Sequence, residues 1–129
     1  MDTNKNIDCI FCSIPRDRII SENDLTFAIR DNYPVTTLHS LIIPKRHVAD
    51  YFSLTKDELL SCDALLKEVK SSIKVEDESV KAFNVGINSG EAAGQTIFHC
   101  HIHLIPRRVG DVENPRGGIR HLIPGKGDY

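Results

Sequence analysis

His99-Cys100-His101-Ile102-His103-Leu104-Ile105 places half of the chain's six histidines at alternate positions within five residues. Side chains of an extended strand alternate between its faces, so this spacing predicts all three imidazoles on one face. Cys100, Ile102 and Leu104 then point the other way, into a core that fixes the register and holds the histidines in place. A solvated edge strand explains the row poorly, because such a face more often carries Lys, Thr or Glu. A three-histidine zinc centre explains it no better. Same-face neighbours sit roughly 7 Å apart at the backbone, too far for three in succession to meet at one ion, although two could do so with ligands from elsewhere.

Working outward, strand-like composition covers Ile97 to Ile105 and, before it, Ala82 to Ile87, with a glycine-rich loop around Asn88 to Gly94 between them. Upstream, Thr26 to Arg30 and Leu38 to Ile43 read as a hairpin, joined through Asp31-Asn32-Tyr33-Pro34, where Pro34 cannot continue a ladder. Thr55 and Glu58 have capping-box spacing, and Leu59, Cys62, Leu66, Val69 and Ile73 recur at intervals of three and four. That pattern predicts one amphipathic helix from about Lys56 to Lys74. The fold class is therefore α+β, an antiparallel sheet of about five strands with one long helix on a face.

At 129 residues the chain has room for one domain. Its formal charge of −2 provides no basic field for nucleic acid, and no apolar run approaches the roughly 18 to 20 residues that span a bilayer. The opening MDTNKNIDCIFC lacks a basic region followed by an apolar one, so a cytoplasmic location is expected. Cys9, Cys12, Cys62 and Cys100 are then reduced thiols. Cys9 and Cys12 form a Cys-x-x-Cys pair, open at this stage to a metal, to dithiol exchange or to no special role. Beyond Pro106 lies a glycine-spaced tail with Arg107, Arg108, Arg116, Arg120 and Lys126, able to wrap the domain or a partner. No glycine-rich phosphate loop with lysine occurs, which excludes a P-loop enzyme.

HCHIHLI resembles the His-φ-His-φ-His-φ-φ signature, with φ hydrophobic, of the histidine triad (HIT) superfamily of nucleotide hydrolases and transferases. NSGEAAGQTIFHCHIHLIPR (88–107), FAIRD (27–31) and LHSLIIPKRH (38–47) resemble family segments in family order, so the likeness covers roughly Cys9 to Arg108. AGQT before the triad, Pro-Arg after it and PKRHVADYFSLTKDE resemble the dinucleoside polyphosphate hydrolase (fragile histidine triad) branch more than the phosphoramidase branch. Leu38 departs from the pattern, since the family generally has glycine there, and this puts the local backbone in question. The resemblance implies a HIT-like fold with a short N-terminal helix, a HIT domain over 1–108, a tail over 109–129 packed on the domain or on a dimer partner, and a homodimer.

It also implies roles for individual residues. His101 is the nucleophile, forming a covalent nucleotidyl-histidine that water resolves, which requires one ring nitrogen held as N–H by an acceptor behind it. His103 donates to a phosphate oxygen, with His99 and His39 completing the catalytic set. Gln95 and Thr96 approach phosphate oxygens, Asn88 approaches the phosphate, and Asp31 grips ribose hydroxyls. Phe11, Ile14 and Ile29 form the base pocket. Cys9, Cys12, His47 and His99 match a structural zinc set found in some relatives, two thiolates and two imidazoles closing a tetrahedron. The implied substrate is a purine nucleotide or dinucleoside polyphosphate of the diadenosine tetraphosphate kind. Adenosine 5'-phosphoramidates, nucleotidyl transfer, and a non-enzymatic nucleotide sensor or adaptor are the alternatives.

Overall fold

The backbone of β2 (Thr26–Arg30) and β3 (Ser40–Pro44) explains why both read as unbroken apolar runs: each is buried on both faces, except for Arg30 at the end of β2. A computed structural model describes residue 6 and residues 8–129; positions 1–5 and 7 of the opening stretch lie outside it. Alternate residues feed two separate cores. Ala28, Ile42, Ile102 and Leu104 meet Cys62, Leu65, Val69 and Ile73 of helix α1 (Lys56–Glu76). Phe27, Ile29, Leu41 and Ile43 face the other way and close around Phe11 from a single 3-10 turn at Ile10–Ser13. That turn occupies the place of the expected short N-terminal helix.

The sheet has five strands in the order β1-β2-β3-β5-β4, every neighbouring pair antiparallel. β1 (Ile19–Glu22) was not legible in the sequence; it is four residues long, without clean alternation, and bulges between Ile19 and Ser21. β4 (Val80–Gly86) is an edge strand. β5 spans Ile102–Arg108, not 97–105, so only His103 of the triad stands in the ladder, paired with Leu41 and Gly86. His99 and His101 precede it in irregular chain that is anchored where Cys100 N–H donates to the Val48 carbonyl at 2.7 Å. β3 likewise begins at Ser40 rather than Leu38. Leu38 has φ +74°, the one positive φ outside glycine among the described residues, and a strand cannot start through it.

The capping box forms as predicted: Glu58 N–H donates to Thr55 Oγ1 and Thr55 N–H to Glu58 Oε1. The buried stripe is Glu58, Cys62, Leu65, Val69 and Ile73, with Leu66 half-buried against the same core, while Leu59 turns outward. Glu58 tolerates burial because Arg46 grips both its oxygens, at 2.9 and 2.8 Å. The 109–129 segment folds back, its 3-10 turn at Gly118–Leu122 lying on β4 with Ile119 over Gly86. Two of its three cations stay within it: Arg116 and Arg120 stand over the Tyr129 ring, and Arg120 Nε donates to the Lys126 carbonyl.

Candidate active site

His101 lies just before β5, where its Nδ1 is 2.8 Å from the His99 carbonyl oxygen. A carbonyl only accepts, so the bond assigns the ring proton to Nδ1 and leaves Nε2 of the neutral ring as the nitrogen with an available lone pair. Phe11 packs edge-on against this ring at 5.0 Å between centroids and fixes its plane. His103, 5.2 Å away ring to ring, presents the opposite polarity. Val35 N–H donates to His39 Nδ1 at 3.1 Å, which puts the His39 proton on Nε2; that nitrogen lies 2.9 Å from His103 Nδ1. His103 Nδ1 is therefore an acceptor, and its proton sits on Nε2. Burial pushes the His103 pKa down to about 4, helped by the neighbouring His101 and His39 rings and opposed by Asp31. Burial lowers His39 too, against the Asp31 carboxylate. One imidazole is thus set to give an electron pair and the next to give a hydrogen bond.

The other sequence-derived residues divide. Asn88 lines a cavity together with His39 and His103. Asp31 accepts from Tyr33 N–H with Oδ1, an Asx turn, while Oδ2 lies 3.5 Å from His39 Nε2. Gln95 is 3% exposed, and its amide is consumed by Gly90 N–H and by the carbonyls of Ala49 and Ile97. It braces the 88–97 loop instead of turning to a phosphate, while Thr96 stands exposed beside it. Ile14 lines a smaller concavity with Ile10, Ser13 and Asn32. Phe11 and Ile29 belong to the core behind, at 6% and 1% exposure.

Cys9, Cys12, His47 and His99 converge from the N-terminal turn, the segment after β3 and the triad. His99 Nδ1 lies 3.4 Å from Cys9 Sγ, 3.5 Å from Cys12 Sγ and 3.3 Å from His47 Nδ1; Cys12 Sγ to His47 Nδ1 is 3.3 Å. A tetrahedral zinc with bonds of about 2.0–2.3 Å sets its ligand atoms about 3.3–3.8 Å apart, so the cluster fits the ion. His99 Nε2 donates to the Pro44 carbonyl at 2.7 Å, the outer bond that turns Nδ1 toward the cluster.

Sequence reasoning missed two kinds of group. The His99 carbonyl and the Val35 amide are backbone atoms, with no residue-type signal. Ile119, His121 and Leu122 of the tail line the cavity beside His103; His121, the one histidine unassigned by the resemblance, was the available hint.

An imidazole pair so polarised, on a five-stranded antiparallel sheet backed by one long helix, defines a histidine triad protein, and the chain belongs to the HIT domain family, whose model matches residues 14–110. Family members are in general nucleotide-binding hydrolases or transferases. A relative from Arabidopsis thaliana, named adenylylsulfatase HINT3, is 39% identical over 110 residues, 81% of this chain and 54% of that protein. The chain is also similar to a hypothetical histidine triad nucleotide-binding protein from Sulfolobus tokodaii, with TM-score 0.73 and 36% identity over 80% of this chain and 71% of that one. A zinc-bound histidine triad family protein from Mycobacterium smegmatis matches with TM-score 0.74 and 32% identity, over 84% and 81%. No helix among the described residues is long and apolar enough to cross a membrane.

Proposed function

We propose that the chain hydrolyses nucleotide derivatives at the α-phosphate through a covalent nucleotidyl-His101. The observation that carries this reading is the His99 carbonyl holding His101 Nδ1–H at 2.8 Å, next to a His103 whose Nε2–H is set by His39. His101 Nε2 bonds to phosphorus as the bond to the leaving group breaks, its electron pair departing with that group. His103 Nε2–H meets the charge that grows on a phosphate oxygen, and Asn88 adds a second donor. Water then bonds to phosphorus, the P–Nε2 bond returns its pair to the ring, and the proton that water loses balances the one the leaving group gained. Rapid quench followed by mass spectrometry should find one nucleotidyl group on the peptide containing His101; burst kinetics without such an adduct would refute the covalent route.

Dinucleoside polyphosphates are the substrates that the AGQT and Pro-Arg likeness favours. Adenosine phosphoramidates are the second reading, supported by the cavity beside His103, whose only charged lining residues, Arg107 and Asp111, neutralise each other. The relative named an adenylylsulfatase supports adenylyl transfer to water as a step common to these substrates. Ile14 and the concavity around it receive the base, with Asp31 toward the ribose.

Cys9, Cys12, His47 and His99 would hold a structural zinc, with no position left for a reacting water, so the ion ties the N-terminal turn to the triad and the chemistry rests on the histidines. A thiolate set of this kind suits the reducing cytoplasm. We further propose a twofold homodimer: β4 is an open edge, and Val85, Leu59 and Leu60 expose apolar surface on β4 and α1. Residues 1–108 form its HIT domain and 109–129 its tail.

A further inference from the structure

Strand β5 runs past the start of its neighbour. It pairs with β3 at Ile102, His103 and Leu104, opposite Ile42, Leu41 and Ser40, while β4 accompanies it as far as Arg108. Beyond Leu104, among the described residues, no strand lies against the β3 side of β5, because Leu38, at φ +74°, turns the chain off the ladder. The 31–39 connection docks there instead, and it carries the Val35 amide that sets the His39 tautomer.

Little apolar packing seats this connection: Tyr33 is 87% and Val35 69% exposed. Backbone bonds close its base, from Asp31 N–H to the His39 carbonyl at 2.9 Å and from His39 N–H to the Thr36 carbonyl at 3.1 Å. Two side-chain bonds fasten it to β5. Thr36 Oγ1–H donates to the Pro106 carbonyl at 2.9 Å, and Arg108 Nη2 donates to the Thr37 carbonyl at 3.0 Å. Arg108 is itself held, since Nη2 also reaches Asp77 Oδ2 at 2.9 Å and Nε reaches Ser79 Oγ at 3.2 Å. The guanidinium thus braces the connection against the C-terminal end of α1.

Thr36 and Thr37 directly follow Val35, so their seating decides where the Val35 N–H points. While it points at His39 Nδ1, the His39 proton stays on Nε2, and His103 keeps its own on Nε2. Without that bond His39 is free to carry its proton on Nδ1. Its bare Nε2 then accepts from His103 Nδ1–H, and His103 turns a lone pair toward the growing negative charge.

We propose that Thr36 and Arg108 are positioning residues: by seating residues 36 and 37 on the overhanging end of β5, they hold the Val35 amide on His39 and so fix the proton that His103 offers to the phosphate. The effect on turnover rests on the nucleotidyl-His101 reading, to which the inference adds two residues that touch no reacting atom.

The test uses Thr36→Val, nearly isosteric but without the hydroxyl donor, Thr36→Ser, which keeps it, and Arg108→Met, which keeps the alkyl stem. Thermal melts check folding, and Thr36→Val carries the test should Arg108→Met fail to fold. Nitrogen-15 correlation spectra at neutral pH read the ring tautomers of His39 and His103; adenosine 5'-phosphoramidate and diadenosine triphosphate serve as substrates. Thr36→Val and Arg108→Met should populate the Nδ1–H forms of both rings, absent from wild type, and lower kcat about tenfold or more on both substrates, with KM within about threefold. Thr36→Ser should keep the wild-type tautomers and stay within about twofold in kcat. Unchanged tautomers in Thr36→Val would overturn the proposal whether or not turnover fell, and so would a Thr36→Ser that behaved like valine. A tautomer shift with kcat intact would overturn the role in turnover. Tautomers that shift as expected in a chain whose wild type turns over neither substrate would uphold the positioning and overturn the nucleotidyl-histidine reading.

Discussion

His39 Nε2 lies 2.9 Å from His103 Nδ1, and the Val35 amide behind His39 decides which of the two rings donates. Both rings must be neutral for this arrangement, and burial provides that by holding His103 at about 4. Ring resonances should therefore report His103 as the Nε2–H tautomer at neutral pH, titrating near 4; a midpoint near 6.5 would contradict the arrangement. Stability follows the same proton. Since the unfolded chain takes it up near 6.5 and the folded chain only near 4, the contribution is complete above about 6.5 and is lost as pH falls toward 4. Denaturant titrations across that window should show a shallower acid loss in His103→Gln than in wild type.

His101→Asn removes the attacking nitrogen while keeping a polar side chain of similar reach. Turnover should fall by about 10³-fold or more, with nucleotide affinity, read by calorimetry, within about threefold of wild type. A wild type that binds nucleotides but never turns one over would instead make the chain a sensor.

The triad strand was legible because alternation is local: five residues were enough to separate Ile102 and Leu104 from His101 and His103. Its start was not, because whether residue 97 or 102 opens the ladder depends on β3 and β4, far away in sequence. Ile29 fits a base pocket by likeness and a core by composition; only the packing around Phe11 decides between them. Gln95 shows the same limit from the polar side, since an amide that could reach a phosphate is spent on Gly90, Ala49 and Ile97. The cysteine pair became readable as a metal set only once two histidines, about 35 and 87 residues beyond Cys12, were matched to it.

Protein as purified should carry about one zinc per chain by elemental analysis. Cys9→Ser should remove most of it and lower Tm by about 5–10 °C, because the ion bridges the N-terminal turn and the triad segment. Residual turnover per folded molecule should persist, since the nucleophile is not a ligand. Full zinc occupancy in Cys9→Ser/Cys12→Ser would place the ion elsewhere.

Leu38 holds φ +74° one residue before His39, so the backbone strain lies next to the ring that orients His103. For a non-glycine residue this region costs about 1–2 kcal/mol, and glycine would remove that cost. Leu38 is nevertheless packed against the helix-side core, and glycine would forfeit that burial and add freedom to the unfolded chain, together about 1.5–2.5 kcal/mol. The opposing effects nearly cancel, so Leu38→Gly should stay within about 1 kcal/mol of wild type by chemical denaturation. Leu38→Val keeps an apolar group but branches at Cβ, which crowds this conformation, and should lose about 1–2 kcal/mol. Valine should also turn His39 away from the Val35 amide, lowering turnover and shifting the His103 ring resonances. If valine were neutral and glycine clearly destabilising, side-chain burial would outweigh the left-handed backbone at this position.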